Sequence, residues 1–166
     1  MKVILYMAAT VNGYIAREDG ETPWSKEEWQ NFSKMVKSAR NLVIGRKTYE
    51  AMKENDEFSK IGNPFMVIVS SKSLGPGVTT VGSPKEALRM LKKEKYETAL
   101  VAGGGKLNSS FLKEKLVDEI YLDIEPLIFG KGIRLFSEDD LDAKLELLGT
   151  KSISQNTVQL HYAVLK

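Results

Sequence analysis

Three glycines and a lysine, Gly103-Gly104-Gly105-Lys106, stand between an apolar run beginning at Thr98 and a helix-spaced pair, Leu107 and Phe111. The pattern predicts a strand, a bare-backbone turn and a helix start. Glycine lets backbone N–H groups come close to a ligand, and a helix N-terminus favours negative charge, so such a turn suits a phosphate. The same residues would also serve as a tight connection with no ligand, and Gly103-x-Gly105-x-x-Asn108 lacks the third glycine of the dinucleotide fingerprint. A second unit of this design comes earlier, where Asn41-Leu42-Val43-Ile44 runs into Gly45-Arg46-Lys47-Thr48 and a short helix near Tyr49. Two such units in one open sheet would set two helix N-termini at the carboxyl edge of the strands, where these folds bind ligands. Arg46 and Lys47 then face a phosphate or merely solvate a turn. A third apolar strand, from Phe65 to Val69, closes in Ser70-Ser71-Lys72-Ser73. Hydroxyls and an ammonium there suit another phosphate, or a simple turn.

The candidate proton carrier is Glu28. Ser25-Lys26-Glu27-Glu28 fits a capping box, opening a helix expected to reach about Ala39 with Trp29, Phe32, Met35 and Val36 on one face. Glu28 borders that face. Either its carboxylate closes the box against the backbone of Ser25, or it is a partly desolvated acid able to hold or pass a proton near neutrality. His161, the only histidine, falls opposite the apolar face of its strand and reads as a polar edge-strand residue rather than a catalyst.

Positioning these groups requires a sheet covered on both sides. Val3 to Ala9 is a continuous apolar run, the mark of a central strand. The polar, glycine-bearing segment from Thr10 to Trp24 reads as a mobile loop after that strand. Ser83-Pro84-Lys85-Glu86 opens a helix that crosses over to the Thr98 strand. Val117 to Ile124 is a strand whose polar face carries Tyr121, Asp123 and Glu125, and the tail from Lys144 to Leu165 reads as an antiparallel hairpin on a mainly parallel sheet. The whole chain, 1–166, is expected to be one α/β domain.

Composition narrows the function. The chain has 24 basic and 22 acidic residues with no block of one sign, so nucleic acid is not implied. It contains no cysteine and one histidine, which argues against disulfides, thiolate metal sites and Cys or His nucleophiles, and suits a reducing cytoplasm. No run approaches a membrane span. Asp139-Asp140 and Asp142 read as a solvated turn without calcium-loop spacing, and no metal site is expected.

The order of these motifs, from the Gly13-Tyr14-Ile15-Ala16 loop ending in Pro23-Trp24 through Gly45-Arg46-Lys47-Thr48-Tyr49-Glu50 and Ser70-Ser71-Lys72 to the glycine triplet, resembles the dihydrofolate reductase superfamily over the whole chain. Leu116-Val117-Asp118-Glu119-Ile120 and the run from Pro126 through Gly130-Lys131-Gly132 to Leu135-Phe136 are most similar to its riboflavin-biosynthesis branch, the reductase domain of the bifunctional deaminase-reductase. The resemblance implies a dihydrofolate reductase-like three-layer fold, with a mainly parallel sheet of about eight strands, and hydride transfer from NADPH to a small heterocyclic or carbonyl substrate. By position it assigns Gly45, Arg46, Lys47, Thr48, Ser70, Ser71, Lys72 and Ala102 through Gly103, Gly104, Gly105, Lys106 and Leu107 to the cofactor. Ala9 and the loop to Trp24 would cover the nicotinamide. Trp24, Glu28 and Phe32 would meet substrate, with Glu28 and Asp123 as the catalytic acids. Asn63 stands where folate reductases carry an arginine for the glutamate tail, which argues against folate. Asn12 stands where the riboflavin branch commonly has aspartate, and no deaminase zinc motif is present. Related proteins often dimerise, so a homodimer is expected. The competing class is a nucleotide-binding protein without catalysis, in which Glu28 only caps its helix.

Overall fold

The computed structural model describes residues 1–137 and 140–166, so Asp139 of the acidic turn lies outside the described residues. The first strand, β1 (Lys2–Thr10), is followed by β2 (Tyr14–Ala16) and α1 (Lys26–Ala39). Then come β3 (Asn41–Gly45), α2 (Arg46–Glu54), α3 (Glu57–Lys60), β4 (Phe65–Val69) and β5 (Thr80–Val81). The remainder is α4 (Pro84–Lys93), β6 (Thr98–Val101), α5 (Gly105–Lys113), β7 (Glu119–Glu125), β8 (Ile133–Arg134), β9 (Lys144–Ser152) and β10 (Val158–Leu165).

Eight strands form one sheet in the order β5-β4-β3-β6-β1-β7-β10-β9, parallel up to β7 and antiparallel beyond it. This is the expected three-layer α/β architecture with its C-terminal hairpin. One face packs against α4 and α5 through Ala87, Leu91, Leu107 and Phe111, and the other against α1 and α2 through Phe32, Val36, Tyr49 and Met52. Because the central strands are covered on both sides, Leu42, Val43 and Ile44 are fully buried in succession. Burial of a side chain such as Phe111 stabilises the fold by about 2–3 kcal/mol. β3 and β6 share only a short ladder, and the buried amide of Asn41 supplements it, donating to Thr98 O at 2.7 Å and accepting from Leu100 N at 3.1 Å.

Two expectations change. The segment after β1 is not a plain loop: β2 pairs with β8 in a second, two-stranded sheet. Strands of three and two residues, separated by more than a hundred positions, leave no periodicity to read. His161 does not lie on an edge strand, since β9 covers that side of β10. Its Nε2 lies 2.8 Å from Glu119 and its ring stacks on Tyr121 at 4.0 Å between centroids.

Candidate active site

The two glycine turns meet. β3 and β6 are neighbours, and the Gly45 N–H donates to the Gly103 carbonyl at 2.8 Å. Gly45 and Gly104 are the N-caps of α2 and α5, and neither cap makes a side-chain hydrogen bond. Two helix N-termini thus stand side by side at the carboxyl edge without side-chain caps, an arrangement that favours anionic oxygens. The turn has little room for side chains. A Cβ on Gly105 would sit 2.3 Å from the Arg134 carbonyl oxygen, and Gly103 has φ +86 with Met7 against it. Thr48 Oγ1 lies 3.6 Å from the place a Cβ would take on Gly104, so its hydroxyl borders the same cradle.

The other assigned cofactor residues surround this point. Val69 is in register with Gly45, which brings Ser70, Ser71 and Lys72 to the same edge one strand further out. Ser70 Oγ accepts from the Lys72 N–H at 3.0 Å, and Lys72 is exposed. Lys47 and Lys106 are also exposed, whereas Arg46 is held by Glu50 at 2.8 Å. Leu107 turns its side chain into the core, so only its backbone is available to a ligand. Ala102 is half-buried and directly follows β6. β1 stays paired with β7 as far as Thr10, but its ladder with β6 stops at Leu5–Val101. Ala9 therefore lies on a stretch flanked by a sheet neighbour on one side only. The donor set and the glycine cradle fit a dinucleotide pyrophosphate.

The segment before α1 packs against Phe129. Trp24 stacks on Phe129 at 6.1 Å between centroids, and the Arg17 guanidinium lies 4.4 Å from the same ring. Phe32 packs between Tyr6 and Trp29, with ring centroids 5.5 and 5.7 Å away.

Acids gather where α1 begins. Ser25 caps the helix, its Oγ accepting from the Glu28 N–H at 3.2 Å. The other half of the capping box is not made by Glu28. Glu125, from the end of β7, takes the Ser25 N–H and the Ser25 hydroxyl, each at 2.9 Å, and the Thr157 hydroxyl at 3.1 Å. The Glu28 carboxylate is left without a hydrogen bond or ion pair to the described residues, although Glu28 is only 3 % exposed. Burial first, then the charges of Asp123 and Glu125, push its pKa up to about 8.

Asp123 is differently placed. It accepts from the Tyr6 hydroxyl, from Gln159 Nε2 at 2.8 Å and from Asn31 Nδ2 at 3.2 Å. Burial raises its pKa and these donors oppose the rise. With three donors upon it, Asp123 is the ionised partner, and Glu28, with none, holds the proton. Burial first, then Asp123 and Glu28, raises the Tyr6 phenol, which therefore stays a donor.

Further along α1 lies a cleft of about 720 Å³, lined among others by Val36, Lys37, Arg40, Tyr49 and Asn63. Asn63 has φ 47 and donates its N–H to Phe58 O at 2.9 Å. Lys37 and Arg40 bring two cations beside it, so the missing arginine does not leave the cleft without positive charge.

Sequence reading did not single out Glu125, Tyr6 or Phe129. Glu125 bonds a serine one hundred positions away, and Tyr6 an aspartate 117 away. The one available signal was Glu125 on the polar face of a strand that also carries Asp123.

The sheet, the paired glycine turns and the acid on the first helix define a dihydrofolate reductase-like domain. The RibD C-terminal domain family matches residues 1–159, and the chain belongs to that family. It is 35 % identical over 169 residues to the protein YwjB of Bacillus subtilis (strain 168), with 97 % of each chain covered. It is 31 % identical over 132 residues to dihydrofolate reductase type 1 of Escherichia coli, covering 76 % of this chain and 78 % of that one. In fold it is similar to RibD of Acinetobacter baumannii, with a TM-score of 0.82 at 20 % identity, covering 99 % of this chain and 58 % of that one.

Proposed function

We propose that the chain is an NADPH-dependent reductase acting on a small heterocyclic or carbonyl substrate, with dihydrofolate and a ribosylaminopyrimidine of riboflavin synthesis as the two substrate classes. The observation that carries this reading is Glu28: a buried carboxyl group with a proton to give and no structural bond to keep it. Gly45, Thr48, Gly103, Gly104 and Gly105 would hold the pyrophosphate of NADPH, and Arg46, Lys47, Ser70, Ser71 and Lys72 its adenosine end. Bound there, NADPH would supply the hydride.

Glu28 would place its proton on the heteroatom beside the carbon that is reduced, so that no bare anion forms. Asp123 and Glu125 lie behind it, and no lysine or arginine pairs with any of the three carboxyl groups among the described residues. Such a field favours a protonated C=N over a developing alkoxide. Lys37 stands nine positions after Glu28 on the same helix, about 14 Å along its axis. Lys37 and Arg40 would meet an anionic end of the substrate, a carboxylate or a phosphate.

A nucleotide-binding protein without catalysis would need Glu28 to serve only as a cap, and its carboxylate makes no cap bond. The test is NADPH oxidation, followed with dihydrofolate and with the riboflavin-pathway pyrimidine side by side. Turnover with either supports the reading; NADPH binding with neither substrate reduced would favour the non-catalytic class.

The same reading places the protein in the cytoplasm, and no helix among the described residues is long and apolar enough to cross a membrane. A homodimer is proposed because β9 is an edge strand, exposed along nearly all its length and carrying Leu145 and Leu147. Light scattering at twice the chain mass is the expected result.

A further inference from the structure

A serine followed three residues later by glutamate ordinarily closes its own helix start, the glutamate reaching back to the serine N–H. Here the glutamate that reaches the serine comes from another element. Glu125 uses one carboxylate oxygen for the Ser25 N–H and the other for the Ser25 and Thr157 hydroxyls. Glu125 is itself 2 % exposed, and its three donors tie the end of β7, the residue before β10 and the start of α1 to one carboxylate. Glu28, at the position that normally supplies the cap, keeps its carboxyl group unbonded and nine-tenths buried.

We propose that Glu125 is a positioning residue: it closes the cap of α1 in place of Glu28, leaving the Glu28 carboxyl free to face a ligand beside a second, fully bonded carboxyl group. The exchange separates two duties that one side chain cannot perform together. A carboxylate that caps must stay ionised and bonded to the backbone, whereas a proton donor must be protonated and unbonded. Asp123, held by Tyr6, Gln159 and Asn31, adds a second fixed charge from the same strand.

The groups facing Glu28 are few. β1 contributes Tyr6, β7 contributes Asp123 and Glu125, and β10 with the residue before it contributes only the uncharged Gln159 and Thr157. Lys26 and Glu27, beside Glu28 on α1, are exposed to solvent. The raised pKa of Glu28 agrees with this arrangement, with Asp123 and Glu125 named after burial as its causes. The catalytic meaning of the arrangement rests on the reductase reading above. Its structural content does not, so the tests use ligand-free protein and stand even if no substrate is turned over.

Two measurements decide it. The carboxyl carbon of Glu28, followed by carbon NMR in isotopically labelled protein against pH, is expected to titrate near 8 in the unmodified chain. In Glu125→Gln its midpoint should fall by about 1 pH unit, because a like charge has been removed while the side-chain volume is kept. An unchanged midpoint overturns the proposal. Thermal stability at about pH 6 supplies the second measurement: Glu28 is neutral there in the folded chain but ionised in the unfolded one, so Glu28→Gln keeps an uncharged group in place and removes the cost of proton uptake on folding. Glu125→Gln should lower Tm by about 2–4 °C or more, the shift expected for a lost cap in a chain of this size, while Glu28→Gln should not lower Tm at all. The reverse order, with Glu28→Gln the costlier substitution, also overturns it. Should Glu125→Gln not fold, the Tm of Glu28→Gln still decides whether Glu28 carries the cap.

Discussion

The two ends of the proposed site are built in opposite ways. At the glycine turns the chemistry belongs to the backbone: two helix N-termini, one carbonyl contact between them, and glycines kept free of side chains by packing. At the start of α1 the chemistry belongs to side chains, with Ser25, Glu28, Asp123 and Glu125 brought together from distant elements. A backbone site is robust to changes in the charges around it and intolerant of added volume. A side-chain site tolerates changes of shape at its margins and fails when one charge or donor is altered.

The largest contrast should come from volume. Gly105→Ala puts a methyl group 2.3 Å from the Arg134 carbonyl oxygen, and a loss of about 3 kcal/mol is expected. Gly103→Ala meets the flexible end of Met7 and a positive φ, and about 1–2 kcal/mol is expected. Urea denaturation of both variants measures the difference. Equal losses would show that backbone crowding does not set the limit.

Next comes charge at the acidic end. Glu28→Gln should cut turnover by about a hundredfold or more while leaving NADPH affinity alone. It should also change how stability depends on pH. The Glu28 carboxyl takes up its proton at about 8 in the folded chain, against an ordinary value of 4.5, so the folded state binds more protons between those limits. Its contribution is intact below 4.5 and is lost as the pH rises towards 8. Thermal melts from acid to mild alkali should therefore show a decline in the unmodified chain that flattens in Glu28→Gln. Parallel curves for the two proteins would place the proton elsewhere.

A smaller effect is expected from the cations around the glycine turns. NADPH should bind about tenfold more tightly than NADH, the worth of one charge-assisted hydrogen bond, and Arg46→Ala with Lys72→Ala should erase most of that difference. Calorimetry with both nucleotides measures it, and equal affinities in the unmodified chain would remove the assignment. Smallest of all, Lys37→Ala with Arg40→Ala should raise KM for an anionic substrate about three- to tenfold with kcat unchanged, because both side chains are exposed and screened. A fall in kcat instead would extend the acidic end of the site further along α1 than its geometry indicates.

How much of this was legible in the sequence follows the same division. The glycine turns were readable because each is a contiguous stretch whose local pattern specifies strand, turn and helix. The start of α1 was readable in outline, since Ser25 and Glu28 are three residues apart. What could not be read was which glutamate closes the cap, because Glu125 is one hundred positions from Ser25 and nothing in its neighbourhood marks it as a capping group. The β2–β8 pair was hidden for the same reason, and so was Phe129, whose only sequence signal is an apolar residue before a glycine.

That small sheet has a mechanical consequence. The Leu135 N–H donates to Gly13 O at 2.9 Å while its carbonyl accepts from Asn108 Nδ2 at 2.9 Å. Gly132 lies so close to β2 that a Cβ would sit 2.3 Å from the Ala16 carbonyl oxygen, and Gly105 is as close to Arg134. The stretch from Gly132 to Leu135 thus works as a rivet through two plates, the segment after β1 and the first turn of α5. Neither plate can slide without carrying the other, so a shift in the first turn of α5 is passed on to the segment that ends at Trp24.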